Sequence, residues 1–224
     1  MVKKAKKKSY RYERKYLIKN SNLKKFYPLF IKSNFIRHHK ERKIISIYFD
    51  NLDFTSVQEN INGLFSRYKI RIRTYNEQDT LASAVIEIKS KSGMLGQKIS
   101  IKIPEQFHNY SFNDAKTLND LGEFITQEAH NILGINIGLV FPCLKISYDR
   151  EYYIHSANDI RLTKDSGIIY ENLINCFISQ DSSQIVEVKY DFNVSFMRSL
   201  NSFLPIYTKN SKYVQGIKST MMNM

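Results

Sequence analysis

Arg67-Tyr68-Lys69-Ile70-Arg71-Ile72-Arg73 is the stretch on which the fold turns. In a strand, residues two apart share a face. Arg67, Lys69, Arg71 and Arg73 therefore project together, and Tyr68, Ile70 and Ile72 project the other way. The same alternation recurs on either side. Glu87, Lys89 and Lys91 interleave with Ile86 and Ile88; Lys98 and Lys102 with Ile99, Ile101 and Ile103; Glu187 and Lys189 with Val186 and Val188. Arg11, Glu13 and Lys15 share a face near the start, Arg161, Thr163 and Asp165 share another, and Arg150 lies within Tyr148-Asp149-Arg150-Glu151-Tyr152. One such strand is an ordinary wet sheet face. Repeated over seven strands with cations in excess, the pattern asks for a different account, because like charges repel across neighbouring strands. A sheet curled with its charged faces inward gives a cationic lumen, stable only around an anion or ordered water. Arg would supply bidentate contacts to phosphate and Lys point charges.

The rest of the chain supports an α+β reading with a largely antiparallel sheet. Strands are expected over 10–18, 43–50, 65–75, 82–91, 95–103, 141–154, 158–164, 167–171 and 184–190. Turns fall at Asn76–Asp79 and at Ser92-Gly93. Helices are expected from Asn20 or Ser21 to about Lys32, kinked at Pro28; over 53–60, stopping at Asn62-Gly63; over 112–134, ending at Gly134; and over 193–203. The tail 211–220 reads either way.

Composition bounds the class. The chain has 224 residues, 42% hydrophobic and 13% aromatic, enough for a sizeable core. It carries 34 Lys and Arg against 21 Asp and Glu, a net +13; residues 1–43 hold sixteen and two of these, so the remainder sums to −1. The excess belongs to the start, and a polyanion is the expected partner. No apolar run is long enough for a membrane span or a secretory signal. Cys143 and Cys176 make neither a disulfide framework nor a zinc site, so a reduced, cytoplasmic setting is expected. His38-His39 reads as a surface or capping pair. The many Tyr and Phe fall mostly on apolar faces, which favours core packing over base stacking, so nucleic acid is not the expected partner. There is no P-loop or Rossmann glycine pattern.

The ordered series Glu13-Arg14-Lys15-Tyr16, Tyr48-Phe49-Asp50, Arg71-Ile72-Arg73-Thr74-Tyr75, Glu87-Ile88-Lys89, Tyr148-Asp149-Arg150, Arg161-Leu162-Thr163-Lys164-Asp165, Glu187-Val188-Lys189 and Ser211-Lys212-Tyr213 resembles the VTC domain. This is the polyphosphate polymerase domain of the vacuolar transporter chaperone, within the triphosphate tunnel metalloenzyme superfamily. The resemblance runs from about residue 10 to about residue 217. It implies an antiparallel β-barrel tunnel with amphipathic helices packed outside, formed by a single domain over 10–224 behind a basic leader, 1–9. It also implies transfer of the γ-phosphate of ATP onto inorganic polyphosphate, with release of ADP and with Mn²⁺ or Mg²⁺ as cofactor. On that footing Lys15, Arg71, Arg73, Lys89, Lys98, Arg150, Arg161, Lys189 and Lys212 hold the triphosphate and the chain end. Glu187 binds the metal, Glu13 is a second metal candidate, and Glu87 is auxiliary, preferably as a wall ion pair. Hydrolases of the superfamily open with Glu-x-Glu-x-Lys, whereas this chain reads Arg11-x-Glu13-x-Lys15. That departure disfavours a two-metal hydrolase. Three readings remain distinct: polymerase, metal-dependent tripolyphosphate or nucleoside triphosphatase, and non-catalytic polyphosphate-binding module.

Overall fold

Alternating β-branched and charged residues do form strands in the computed structural model, which describes residues 12–22, 24, 34–75, 80–93, 95–156, 160–190 and 207–221. The strands are β1 (Tyr12–Ile18), β2 (Phe35–Asp50), β3 (Ser66–Thr74), β4 (Val85–Ser92), β5 (Leu95–Lys102), β6 (Phe141–His155), β7 (Arg161–Asn172), β8 (Ile178–Asp181) and β9 (Gln184–Tyr190). The described α-helices are α1 (Thr55–Asn62), α2 (Ala115–Leu133) and α3 (Lys212–Met221). Strand order is β1-β9-β7-β6-β2-β3-β4-β5, with β8 added on β7. The registered pairs β1–β9, β9–β7, β7–β8, β2–β3, β3–β4 and β4–β5 are antiparallel. Among the described residues this order ends at β1 and at β5. The pairings thus establish a large antiparallel sheet with helices, and not the closed barrel. No helix among the described residues is long and apolar enough to cross a membrane.

The chain divides into two compact units. The first comprises Met1–Glu41, Arg150–Gly167 and Ser182–Asn210, the second Arg42–Asp149, Ile168–Asp181 and Ser211–Met224. In the second unit, Ile70, Ile72, Ile86 and Ile88 form one sheet face and bury Leu118, Leu121, Ile125 and Ala129 of α2. The Asp114 side chain caps α2 by accepting the Thr117 N–H at 2.9 Å, and Gly134 ends it at φ 67°. At Gly122 a Cβ would stand 2.4 Å from the Val140 carbonyl oxygen, so only glycine lets the helix approach this closely. In the first unit Tyr16, Ile18, Leu162, Val186, Val188 and Tyr190 form the apolar cluster.

Four expectations change. Strand β2 begins at Phe35, not near Lys43; its exposed middle, Arg37 to Lys43, has no apolar alternation to betray it. His38 and His39 sit exposed on this strand, ring centroids 4.1 Å apart, in keeping with the surface-pair reading. The two strands expected around residues 158–171 are one, β7, which runs through Gly167 at φ 60°. Strand β8, four partly exposed residues, was not expected, and the ambiguous tail is helix α3. The expected helices over about 20–32 and 193–203 and the turn at Asn76–Asp79 lie largely or wholly outside the described residues, as do Arg11 and the 1–9 leader.

Candidate phosphate-binding site

Register turns the charge pattern of the second unit into rows. Tyr48, Arg71, Glu87 and Ser100 lie side by side across β2, β3, β4 and β5; Ser46, Arg73, Val85 and Lys102 form the next row. On the other side Lys69, Lys89 and Lys98 stand in register across three strands. Three like charges in a row repel one another; the Lys69 ammonium donates to Ser211 Oγ at 2.8 Å and Lys98 pairs with Glu87.

Glu87, fully buried, is the main brace. The Arg71 Nε and Nη2 donate to its Oε2 at 2.7 and 2.5 Å, and the Lys98 ammonium meets its Oε1. Burial alone would raise the Glu87 carboxyl; Arg71, Arg73 and Lys98 bring it down to about 2. The Arg71 Nη1 donates to the Tyr48 hydroxyl at 2.8 Å. Burial opposes ionisation of that phenol, yet Arg71, Arg73 and Lys69 lower it to about 7. The Arg73 Nε donates to Ser46 Oγ at 3.0 Å and its Nη2 to the Tyr148 hydroxyl at 3.1 Å. Lys212, on α3, lies with Nζ 4.6 Å from the centre of that Tyr148 ring. It is placed there by Tyr213, which stacks on Tyr48 and donates to Asp50 Oδ2 at 2.8 Å. Crowding by surrounding protein and the charges of Arg71 and Arg73 lower the Lys89 ammonium to about 7, although its surface reaches water.

The first unit has its own charged face. Glu13, Lys189 and Arg161 are one register row across β1, β9 and β7; Lys15, Glu187 and Thr163 are the next. The Lys189 ammonium is 2.9 Å from Glu187 Oε1, the Lys15 ammonium 3.6 Å from Oε2 and 3.2 Å from Glu13 Oε1. Burial would raise the Glu187 carboxyl, but Lys15, Lys189 and Arg150 hold it well below the usual carboxylate range. Arg150 is fixed by two hydrogen bonds to Asp165, 2.6 and 2.7 Å long.

These residues are assembled within their units: Arg71, Arg73, Lys89, Lys98 and Glu87, with Lys212 reached through Tyr148, in the second; Lys15, Glu13, Glu187, Lys189, Arg161 and Arg150 in the first. Sequence reasoning missed Ser46, Tyr48, Tyr148 and Asp165 as the groups that hold the arginines. Their signal was present, since Tyr48 and Tyr148 occupy the first positions of two of the quoted tripeptides. Among the described residues no three His, Cys, Asp or Glu side chains gather as a ready-made metal cluster. A divalent ion on a triphosphate needs only one or two carboxylates, with phosphate and water oxygens completing its shell. Glu187 and Glu13 offer that donor set. Beside Glu187 in register, the buried Thr163 Oγ1 has no partner among the described residues, which leaves one more oxygen for such an ion or its water.

The VTC-domain family model matches residues 10–221, nearly the whole chain. The chain belongs to the VTC-domain family. Two solved structures share the fold. One is a candidate adenylyl cyclase from Hippeastrum, described as having a dominant triphosphatase activity: 15% identity, 94% of this chain and 97% of that chain covered, TM-score 0.55. The other is a candidate adenylate cyclase from Bacillus halodurans: 16% identity, 91% and 95% covered, TM-score 0.50. No curated protein matches this VTC domain significantly.

Proposed function

We propose that this chain transfers the terminal phosphoryl group of ATP onto a growing inorganic polyphosphate, releasing ADP, with Mn²⁺ or Mg²⁺ as cofactor. The observation that carries this reading is the in-register row Lys69–Lys89–Lys98 beside the braced arginines Arg71 and Arg73. A row of like charge more than a strand wide fits a chain of phosphates better than a single anion. Phosphoryl transfer asks of a protein mainly positioning and neutralisation of charge. Arg71 and Arg73 are already fixed by Glu87, Tyr48, Ser46 and Tyr148, so little side-chain freedom is lost when phosphate binds. In the first unit Lys15, Lys189 and Arg161 present further cations, and Glu187 with Glu13 would hold the metal ion, which neutralises phosphate oxygens when bound. The closed barrel of the tunnel fold belongs to the same reading. Lys3 to Lys8 capture polyanion and take no part in the chemistry, so deleting residues 1–8 lowers the salt sensitivity of polyphosphate binding but spares turnover at saturating ATP.

A triphosphatase is the second reading, favoured by the activity described for the Hippeastrum protein of the same fold. Against it stands Arg11, where the hydrolase pattern has an acid. Incubation with γ-labelled ATP and Mn²⁺ separates the two. Long labelled chains with matching ADP support the polymerase. Labelled free phosphate alone establishes the hydrolase, and no product at all leaves a binding module; either result overturns the proposal.

A further inference from the structure

The second unit also holds a cavity of about 310 Å³ on the side of β3 opposite its cations. Asn51, Thr55 and Glu59, four residues apart, form one wall; Tyr68 of β3 and the segment with Ile135 and Ile137 form others. Most polar groups of this wall are already used. The Asn51 Nδ2 donates to Thr55 Oγ1 at 2.9 Å and to the Ile137 carbonyl at 3.1 Å, and its Oδ1 accepts the Thr55 N–H at 3.0 Å. Two atoms are not used. Tyr68 is 4% exposed, and neither its hydroxyl nor Glu59 Oε2 has a hydrogen-bond partner among the described residues.

The electrostatics agree. Burial raises the Glu59 carboxyl and, further, the Tyr68 phenol, and the nearby Asp50 carboxylate raises both. Asp50 is saturated by neutral donors, the N–H groups of Asn51, Ser56 and Val57 and the Tyr213 hydroxyl. Among the described residues neither Asp50 nor Glu59 forms an ion pair. A buried acceptor without a partner is costly, and the cavity faces that deficit.

We propose that this cavity binds a small primary alkylammonium compound, its N–H groups donating to Glu59 Oε2 and the Tyr68 hydroxyl and its hydrocarbon lying against Ile135 and Ile137. A bare metal ion fits less well, because the two free oxygens fall short of the six or so that a hard cation takes. The volume lies at the small end of ligand pockets. This site is separate from the phosphate-binding residues, so its fate and that of the polymerase reading are independent.

Titration of the full chain with butylammonium chloride, followed by calorimetry, tests it. Tetramethylammonium and potassium chloride are the comparison salts. Saturable binding of butylammonium alone is expected, weakened roughly tenfold or more in Glu59→Gln, the range for losing a charged hydrogen bond. Tyr68→Phe keeps the ring and should weaken binding by a smaller factor, which preserves the test if Glu59→Gln does not fold. Absence of saturable binding, equal affinity in both variants, or an equal response to potassium would overturn the proposal.

Discussion

Arg71 and Glu87 face each other across β3 and β4, and two guanidinium nitrogens of the first, at 2.7 and 2.5 Å, converge on one carboxylate oxygen of the second. Both side chains are buried. The pair fixes the arginine while the Tyr48 hydroxyl holds its third nitrogen. Truncation to Glu87→Ala leaves Arg71 buried without its anion and should cost about 3 kcal/mol or more of stability, measured by urea unfolding at pH 7.

The same pair makes the protein acid-sensitive. The Glu87 carboxyl titrates near 2 when folded, against an ordinary 4.5. Its contribution is complete above the unfolded value and disappears as pH falls through the folded one. On the order of 3 kcal/mol should therefore be lost between pH 5 and pH 2. Urea midpoints across that window should fall less steeply in Glu87→Gln than in the natural chain; parallel slopes would refute the assignment.

Glu187 and Lys189 separate metal from phosphate. Glu187→Gln keeps shape and removes charge, so Mn²⁺-activated turnover should fall by roughly 10²-fold or more. Binding of tripolyphosphate without metal should stay equal or tighten, because a repulsive charge is gone. Lys189→Met should instead weaken tripolyphosphate binding itself. Full metal-activated turnover in Glu187→Gln would move the metal to Glu13.

Burial and the neighbouring charges of Arg71 and Arg73 press the Lys89 ammonium below its ordinary range, toward about 7, so its positive charge should grow as pH falls. Tripolyphosphate affinity should rise as pH falls through 7, by up to roughly tenfold per unit. Tyr48, ionising near 7, acts in the same direction, since its phenolate repels phosphate at higher pH. Lys89→Arg stays charged and Tyr48→Phe cannot ionise; each should flatten part of the profile. An unchanged profile in both variants would show that the ligand's own protonation sets it.

Gly122 tests the seat of α2. A methyl group there would meet the Val140 carbonyl oxygen at 2.4 Å, a backbone atom that cannot rotate away. Gly122→Ala should destabilise by about 1–3 kcal/mol despite the better helix propensity of alanine, read as a lowered melting temperature.

Alternation made the paired strands legible: Ile70, Ile72, Ile86 and Ile88 go to one core face because the side-chain period of a strand is two. The same arithmetic put Arg71 with Arg73 and Glu187 with Lys189. It failed over Arg37–Lys43, where the strand has no apolar face to mark it, and over Ile178–Asp181, which is held by pairing with β7.

The sequence by itself determined which residues share a face and where the long helix stops, because each depends on spacing or on local backbone preference, and the order of its motifs carried the resemblance to the VTC family. Only the tertiary structure decided the partners. That Glu87 belongs to Arg71 and Lys98, that Tyr148 steadies Arg73 and seats Lys212, and that Asp165 fixes Arg150 all depend on strand register and on where α3 packs. Register is set by contacts between segments far apart in the chain, such as Arg73 and Tyr148, 75 residues apart, and no local pattern encodes it.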